Sequence, residues 1–229
     1  MGDIGPTIFS ASTWILPALI AITFHEASHG FVALRFGDDT ALRAGRVTFN
    51  PIKHVDPFGT ILLPGLLLLM HSPFLFGYAK PVPVNFGRLR NPRRDMVWVA
   101  AAGPGINLAL AFASALLMHI TPFLPDMARA WAQQNLINSI GLNVILAVFN
   151  MLPLPPLDGG RVAVGLLPDA LAYPLARLER WGMFIIIGGL FILPLVGSQL
   201  GVDLNIFSWL LSGPVDYLIE LIASVAGLT

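Results

Sequence analysis

The feature that most constrains this chain is the sequence HEASH, residues 25–29, which lies inside a long apolar stretch. Ionisable side chains are expensive in the bilayer core and usually mark functional sites there. The chain is 55% hydrophobic and only 11% charged, whereas an ordinary soluble domain carries about 25% charged residues. The composition therefore predicts an integral membrane protein, in which these two histidines and the glutamate face protein or water rather than lipid.

The apolar segments predict an all-α polytopic membrane protein that forms a single membrane domain over residues 1–229. A helix of about 20 apolar residues is long enough to cross a bilayer. We expect about five transmembrane helices, at residues 8–36, 95–120, 135–152, 178–197 and 204–227. A sixth apolar stretch, residues 57–79, is interrupted by proline, glycine and histidine. It either crosses the membrane or enters and returns as a re-entrant hairpin, which would have to be buried in protein or line a wet cavity.

The distribution of lysine and arginine favours the re-entrant hairpin. If residues 57–79 return to the side they left, 12 of the 13 basic residues lie on one face and only Arg129 lies on the other. If the stretch crosses the membrane, the division is 8 to 5. Because basic loops are retained in the cytoplasm, we expect the N-terminus to lie outside and the two large basic loops to lie in the cytoplasm.

Each of the two basic loops that flank the hairpin contains a short run of extended character. The runs are residues 46–49 and 82–86. Two prolines keep the second run out of a central strand, so we expect an edge strand or an irregular loop. An edge strand could hold an unwound substrate by strand addition, with Val47 and Val84 as candidate substrate-binding residues. The alternative is that both runs are basic segments at the lipid surface.

The HExxH pattern predicts a metal site. Residues i and i+4 lie on one face of a helix, about 6 Å apart, so His25 and His29 can bind the same metal ion. Glu26 is rotated by about 100° around the helix and can reach a water on the metal without occupying a coordination position. This arrangement is typical of two zinc ligands and a general base.

A catalytic zinc site needs a third protein ligand and an open position for water. The best candidate is Asp158, because it follows a predicted helix into the same half of the membrane as the two histidines. Asp158 could instead cap the next segment, with the glycines after it forming a simple turn. His54 and Asp56 are weaker rivals, for which a turn is the better interpretation. The chain contains no cysteine, which excludes thiolate ligands.

Three segments carry a resemblance to a known family. HEASHG (25–30) together with NMLPLPPLDGG (150–160) resembles the site-2 protease family of intramembrane zinc metalloproteases, and AAGPGINLALA (101–111) is similar to the middle core helix of that family. The chain resembles the small form of the family, which lacks PDZ and nucleotide-sensing domains.

The resemblance assigns roles to individual residues. It implies that one zinc ion is bound by His25, His29 and Asp158, and that Glu26 is the catalytic base. It also implies that Asn150 is a catalytic and substrate-binding residue that contacts the substrate or the oxyanion. Two other amides in the predicted helices, Asn107 and Asn143, are expected to form hydrogen bonds between helices.

The function implied by the resemblance is regulated intramembrane proteolysis. We expect hydrolysis of transmembrane-helix substrates near the cytoplasmic half of a bacterial or archaeal plasma membrane. The expected partners are transmembrane proteins and the lipid bilayer; the net charge is zero and gives no basic field to attract nucleic acid. The alternatives are a metal-ion transporter, or a non-catalytic protein that binds membrane helices. Glu26 distinguishes them, because a transporter needs no general base.

Overall fold

The computed structural model describes residues 4–62, 66 and 80–228. These residues form helices joined by turns and irregular segments, and none of them lies in a β-strand. The α-helices are α1 (Ile4–Arg35), α2 (Thr40–Arg43), α3 (Pro92–Met118), α4 (Asp126–Asn150), α5 (Asp158–Leu166), α6 (Asp169–Arg177), α7 (Glu179–Ile187), α8 (Leu193–Leu200) and α9 (Ile206–Val225). The shorter helical segments are the 3-10 turns Pro51–Lys53, Phe86–Arg88 and Thr121–Phe123 and the π-helical segments Pro57–Leu62 and Gly188–Ile192.

The predicted all-α membrane fold is confirmed. In the described part of the chain, four helical stretches are long and apolar enough to cross a membrane: Phe9–Arg35, Pro92–Phe123, Glu179–Leu200 and Ile206–Val225. Helix α4, predicted as residues 135–152, begins nine residues earlier, at Asp126. The short helices α5 and α6 were not predicted, because their sequences are less apolar than those of the predicted spans. The number of spans remains a prediction.

Most of the predicted hairpin at residues 57–79 lies outside the described residues. Its first six residues, Pro57–Leu62, form a single π-helical segment. Of the two alternatives for the flanking loops, an edge strand or an irregular loop, the structure shows the irregular loop: residues 46–49 and 82–85 form no strand, and Phe86 begins a 3-10 turn. Prolines in the second run lack the N–H groups that a strand ladder needs on both edges.

Three helices, α1, α3 and α4, pack against one another to form the core of the bundle. Small residues allow this close approach, because a short side chain lets two backbones come together. The fully buried alanines of α1 and α3 are Ala21, Ala27, Ala33, Ala111 and Ala115. Helix α9 covers the far end of this core, where Val215 and Ile222 join Ala111, Ala115 and Val144 in one apolar cluster.

Helix α4 presents a polar seam to its neighbours, which explains why it is less apolar than the four spans. Asn138 donates through Nδ2 to the carbonyl oxygen of Thr13 at 3.0 Å, and the hydroxyls of Ser139 and Ser114 lie 2.8 Å apart. Asn143 accepts from Nδ2 of Asn107 at 2.7 Å. Buried polar groups of this kind must find partners inside the bundle, and here the partners join α4 to both α1 and α3.

The segment between α4 and α5 turns back into the bundle and carries Asp158 at the start of α5. Two glycines follow the aspartate, and each lies against backbone. A Cβ added at Gly159 would overlap the carbonyl group of Met151, and one added at Gly160 would overlap the backbone at Pro155. The DGG sequence is therefore required for the tight packing that brings Asp158 towards α1, rather than only for a surface turn.

Candidate metal centre

Two histidines of α1 and one aspartate of α5 converge in the interior of the bundle. His25, His29 and Asp158 each offer one ligand atom, and these atoms all lie within 4.8 Å of one another. Oδ2 of Asp158 lies 3.2 Å from Nε2 of His25 and 3.3 Å from Nε2 of His29. All three residues are buried. Asp158 is thus placed beside two residues that are about 130 positions earlier in the chain.

Outer hydrogen bonds fix both imidazole rings with Nε2 towards the aspartate. Nδ1 of His25 donates to Oδ1 of Asn107 at 2.6 Å, and Nδ1 of His29 donates to the carbonyl oxygen of Val99 at 2.7 Å. A carbonyl oxygen can only accept, so each neutral ring carries its proton on Nδ1 and its lone pair on Nε2. Partners of this type orient histidine ligands in metal sites.

The donor set fits a metal ion. Two imidazole lone pairs and a carboxylate oxygen face one another, and Oδ2 of Asp158 is buried without a hydrogen-bond partner. Such a cluster of acceptors is repulsive unless a cation lies between them. Two histidines and a carboxylate are also a ligand set that catalytic zinc uses. His25, His29 and Asp158 could therefore hold a zinc ion.

Gly103 of α3 lies directly against the imidazole rings of both histidines. A Cβ added at Gly103 would lie 2.6 Å from Nε2 of His25 and 2.6 Å from Nε2 of His29. Real Cβ contacts are almost never shorter than 3.0 Å. Gly103 therefore leaves the space in which the two rings meet.

We expect Asn107→Ala to weaken zinc binding about 10- to 100-fold, the usual effect of losing an outer partner of a histidine ligand. The variant removes the acceptor for Nδ1 of His25 and leaves that ring free to rotate. A competition titration against a zinc chelator measures the affinity. Ser114→Ala is the matched control, since Ser114 lies on the same helix and its hydroxyl contacts the hydroxyl of Ser139 rather than a histidine of the site. Equal affinity for both variants would show that Asn107 does not orient His25.

Hydrogen bonds fix the orientation of the two buried side-chain amides, Asn107 and Asn143, starting from Asn143. Nδ2 of Asn143 donates to the carbonyl oxygen of Ser139 at 2.9 Å, so its Oδ1 is the atom that faces Asn107. Nδ2 of Asn107 donates to that oxygen and to the carbonyl oxygen of Ala21, which leaves Oδ1 of Asn107 for His25. The prediction that Asn107 and Asn143 bond between helices is confirmed, and Asn107 also orients the ring of a metal-site histidine.

Glu26 lies on a different face of α1 from the two histidines and is half-buried. Its Oε2 accepts the backbone N–H of Val82 at 2.7 Å. One turn further along α1, the position of a Cβ at Gly30 would lie 3.2 Å from Cγ1 of Val82 and 3.4 Å from Cγ2 of Val47. The two extended runs therefore cover the face of α1 that carries Glu26.

Residues 80–86, here called the proline strap, are tied down at both ends. The N–H of Lys80 donates to the carbonyl oxygen of His54 at 3.0 Å, and the N–H of Asn85 donates to Oδ2 of Asp38 at 2.7 Å. Burial alone would raise the pKa of Asp38, but hydrogen bonds from Thr40 and Asn85 hold this pKa below its ordinary value. Asp38 is therefore ionised at neutral pH and makes a charge-assisted bond to the strap.

The other predicted site residues lie elsewhere. Asn150 is the last residue of α4, and its Nδ2 donates to the carbonyl oxygen of Leu146 at 3.0 Å. His54 donates from Nε2 to the carbonyl oxygen of Thr48, and Asp56 accepts the N–H groups of Phe58 and Gly59. Neither His54 nor Asp56 belongs to the metal group. Val47 lies against Gly30, whereas Val84 packs near the end of α1, beside Ala33 and Val99.

Sequence reasoning missed Gly103, the backing role of Asn107 and the amide of Val82. An isolated amide in an apolar helix was the available signal for Asn107, but it also fits a simple interhelical bond. Nothing local distinguishes Gly103 from Gly105 in the same helix. The contact between Val82 and Glu26 joins residues 56 positions apart and leaves no sequence pattern.

The fold and the site together define a helical membrane protein with a buried group of two histidines and one aspartate that could bind a metal ion. Comparison with known proteins gives the same class. The chain is 42% identical over 195 residues to "Putative zinc metalloprotease YwhC" of Bacillus subtilis, a match that covers 83% of this chain and 85% of that protein. It is 32% identical over 202 residues to "Putative zinc metalloprotease MJ0611" of Methanocaldococcus jannaschii, covering 84% of this chain and 82% of that protein.

A third relative, "Putative zinc metalloprotease Rip2" of Mycolicibacterium smegmatis, is 32% identical over 170 residues, which cover 74% of this chain but 62% of that protein. No family model matches the chain, and no solved structure matches it significantly. The extent of the match to YwhC and MJ0611 shows that the chain belongs to this family of zinc metalloproteases.

Proposed function

We propose that this protein is an intramembrane zinc metalloprotease of the site-2 protease type, which hydrolyses peptide bonds of transmembrane-helix substrates in regulated intramembrane proteolysis. The observation that carries the proposal is the convergence of His25, His29 and Asp158 inside a bundle of membrane-type helices. Because the three residues are buried among membrane-type helices, a substrate helix that is already in the bilayer could approach the site laterally.

The chain supplies both ligands and acid–base chemistry to the reaction. His25 and His29 would hold the zinc ion through Nε2, and Asp158 through Oδ2. When bound, zinc supplies a Lewis acid that lowers the pKa of water from about 15.7 to about 7. Glu26 accepts a proton from the attacking water while the oxygen of that water bonds to the scissile carbonyl carbon. Glu26 then delivers this proton to the leaving nitrogen as the C–N bond breaks.

Asn150 is proposed to stabilise the oxyanion or to bind the substrate. Its Nδ2 carries two hydrogens, and the carbonyl oxygen of Leu146 accepts one of them. The second hydrogen can be donated to a substrate oxygen. Losing a donor of this type costs about 10²–10³ in rate. Val47 and Val84 remain proposed contacts for an unwound substrate segment.

Cleavage of a defined substrate tests the proposal. Purified protein loaded with about one zinc per chain should cleave a single-span model protein in detergent or in proteoliposomes, and a chelator should stop the cleavage. Comparative membrane proteomics of cells with wild-type protein and with the Glu26→Gln variant should reveal natural substrates that accumulate uncut. Zinc flux into proteoliposomes without cleavage of any helical substrate would favour the metal transporter instead.

The distribution of basic residues supports a cytoplasmic site and an external N-terminus. The chain has no cysteine, so single cysteines can report the side of each loop. In intact cells we expect a membrane-impermeant maleimide to label Asp126→Cys, next to the external Arg129, and to leave Lys53→Cys unlabelled until the cells are opened. Both positions are exposed. The reverse labelling pattern would place the site on the other side of the membrane.

A further inference from the structure

We propose that the backbone amide of Val82 positions the Glu26 carboxylate for the reaction, and that the proline strap is the rigid element that carries this amide. The inference rests on the proposed function. It makes Val82 a positioning residue that acts through its main chain, and it gives the second basic loop a defined part in the chemistry of the site.

The contact joins a charged side chain to a main-chain donor. The N–H of Val82 lies 2.7 Å from Oε2 of Glu26, a distance expected for a charge-assisted hydrogen bond. One carboxylate oxygen is thereby held, and Oε1 is left for proton transfer. A free glutamate side chain samples many rotamers, so a fixed donor at this point reduces the number of orientations that the carboxylate can take.

The donor is more rigid than its acceptor. Proline flanks Val82 on both sides in the sequence KPVPVN, residues 80–85, and fixes φ of Pro81 and Pro83 near −65°. Because proline has no N–H, Val82 carries the one main-chain donor of the run 81–83. The side chain of Val82 is buried, with 8% of its surface exposed. It lies next to Gly30, where a Cβ would be 3.2 Å from Cγ1 of Val82.

Ties on both sides of Val82 hold the strap independently of Glu26. On one side the N–H of Lys80 donates to the carbonyl oxygen of His54, and the carbonyl oxygen of Lys80 accepts from Nη1 of Arg46 at 3.4 Å. On the other side the N–H of Asn85 donates to Asp38. The amide of Val82 therefore stays in place when Glu26 changes its rotamer, which is the property that a positioning group needs.

The Val82→Pro variant tests the inference, because it removes the N–H in a run whose neighbours are already prolines. We expect kcat to fall about 10- to 100-fold, the loss that corresponds to a hydrogen bond to a charged group, while KM changes less than about threefold and zinc content is unchanged. The matched variant Val82→Ala keeps the amide and removes most of the side chain. It should reduce kcat by less than about threefold.

Two further measurements guard against a folding defect in the proline variant. Replacement of Val82 by its α-hydroxy acid substitutes an ester for the amide and leaves the side chain in place, so it should reproduce the loss of kcat. In metal-free protein labelled with ¹⁵N-valine, the amide proton of Val82 should shift upfield in Glu26→Gln relative to wild type, because a neutral acceptor replaces a charged one.

The outcomes separate this inference from the proposed function. If wild type cleaves, Glu26→Gln does not, and both the proline and the ester variants retain wild-type kcat, the inference is wrong and the proposed function stands. A rise in kcat in those variants would also overturn the inference, since it would show that the hydrogen bond from Val82 inhibits Glu26 rather than positioning it. Wild-type protein that cleaves no helical substrate would overturn the proposed function and the inference together.

Discussion

Glu26→Gln should lower kcat for cleavage of a transmembrane substrate by about 10²- to 10⁴-fold, the usual contribution of a general acid–base group. Zinc content should stay at the wild-type value, because the three ligand residues are unchanged. Glutamine has nearly the same shape, and its amide oxygen can still accept the N–H of Val82, so the strap should remain in place. Single-turnover cleavage in proteoliposomes, with metal content measured on the same sample, provides both values.

The matched control is Glu220→Gln, the same chemical change at an exposed glutamate of α9. It should retain wild-type cleavage and wild-type zinc. Retention of wild-type kcat by a zinc-loaded Glu26→Gln variant would disprove the role of Glu26 as the base. Loss of zinc from that variant would instead make Glu26 part of the metal site, which the present geometry does not indicate.

Gly103→Ala should abolish high-affinity zinc binding, with an affinity loss of more than about 100-fold. The added Cβ would lie 2.6 Å from Nε2 of both His25 and His29. Either the rings or the backbone of α3 must move, and ligand positions in a metal site tolerate about 0.2 Å. Cleavage should be lost in parallel with zinc. Chelator competition and metal analysis of the purified variant test the expectation.

Gly105→Ala is the control for this substitution. Gly105 lies two residues further along α3, and a Cβ there would meet nothing within 4 Å. The two variants make the same change to helix propensity, which favours alanine over glycine by about 1 kcal/mol. A zinc affinity that fell equally in both would show that the effect comes from the helix as a whole, whereas the structure predicts a loss at position 103 alone.

The all-α membrane fold could be predicted because hydrophobic runs of bilayer length are local properties of the sequence. Four of the predicted helices correspond to membrane-type stretches that the structure describes. The fifth, α4, was located with its start misplaced, since its first turns are too polar for an apolar run and its amides bond to α1 and α3 instead. The choice between an edge strand and an irregular loop could not be made from the sequence, because β-pairing depends on a partner; in the structure Val47 and Val82 of these runs lie against a helix.

The sequence by itself predicted which three residues come together in the candidate metal group. The spacing of His25 and His29 follows from helical periodicity, and Asp158 follows from the need for a third ligand together with the scarcity of other candidates inside the membrane. Each of these inferences uses a local pattern or the composition of the whole chain, and neither depends on the angle or distance at which two helices cross.

Only the tertiary structure decided what surrounds that group. Because α1 and α3 pack closely, Gly103 lies against the rings of His25 and His29. The same packing brings Asn107 within hydrogen-bond distance of His25. The fold of the loop brings Val82 to Glu26. These contacts arise from packing between segments that are distant in the chain, and the packing energy is shared among many side chains. For this reason no short motif records them.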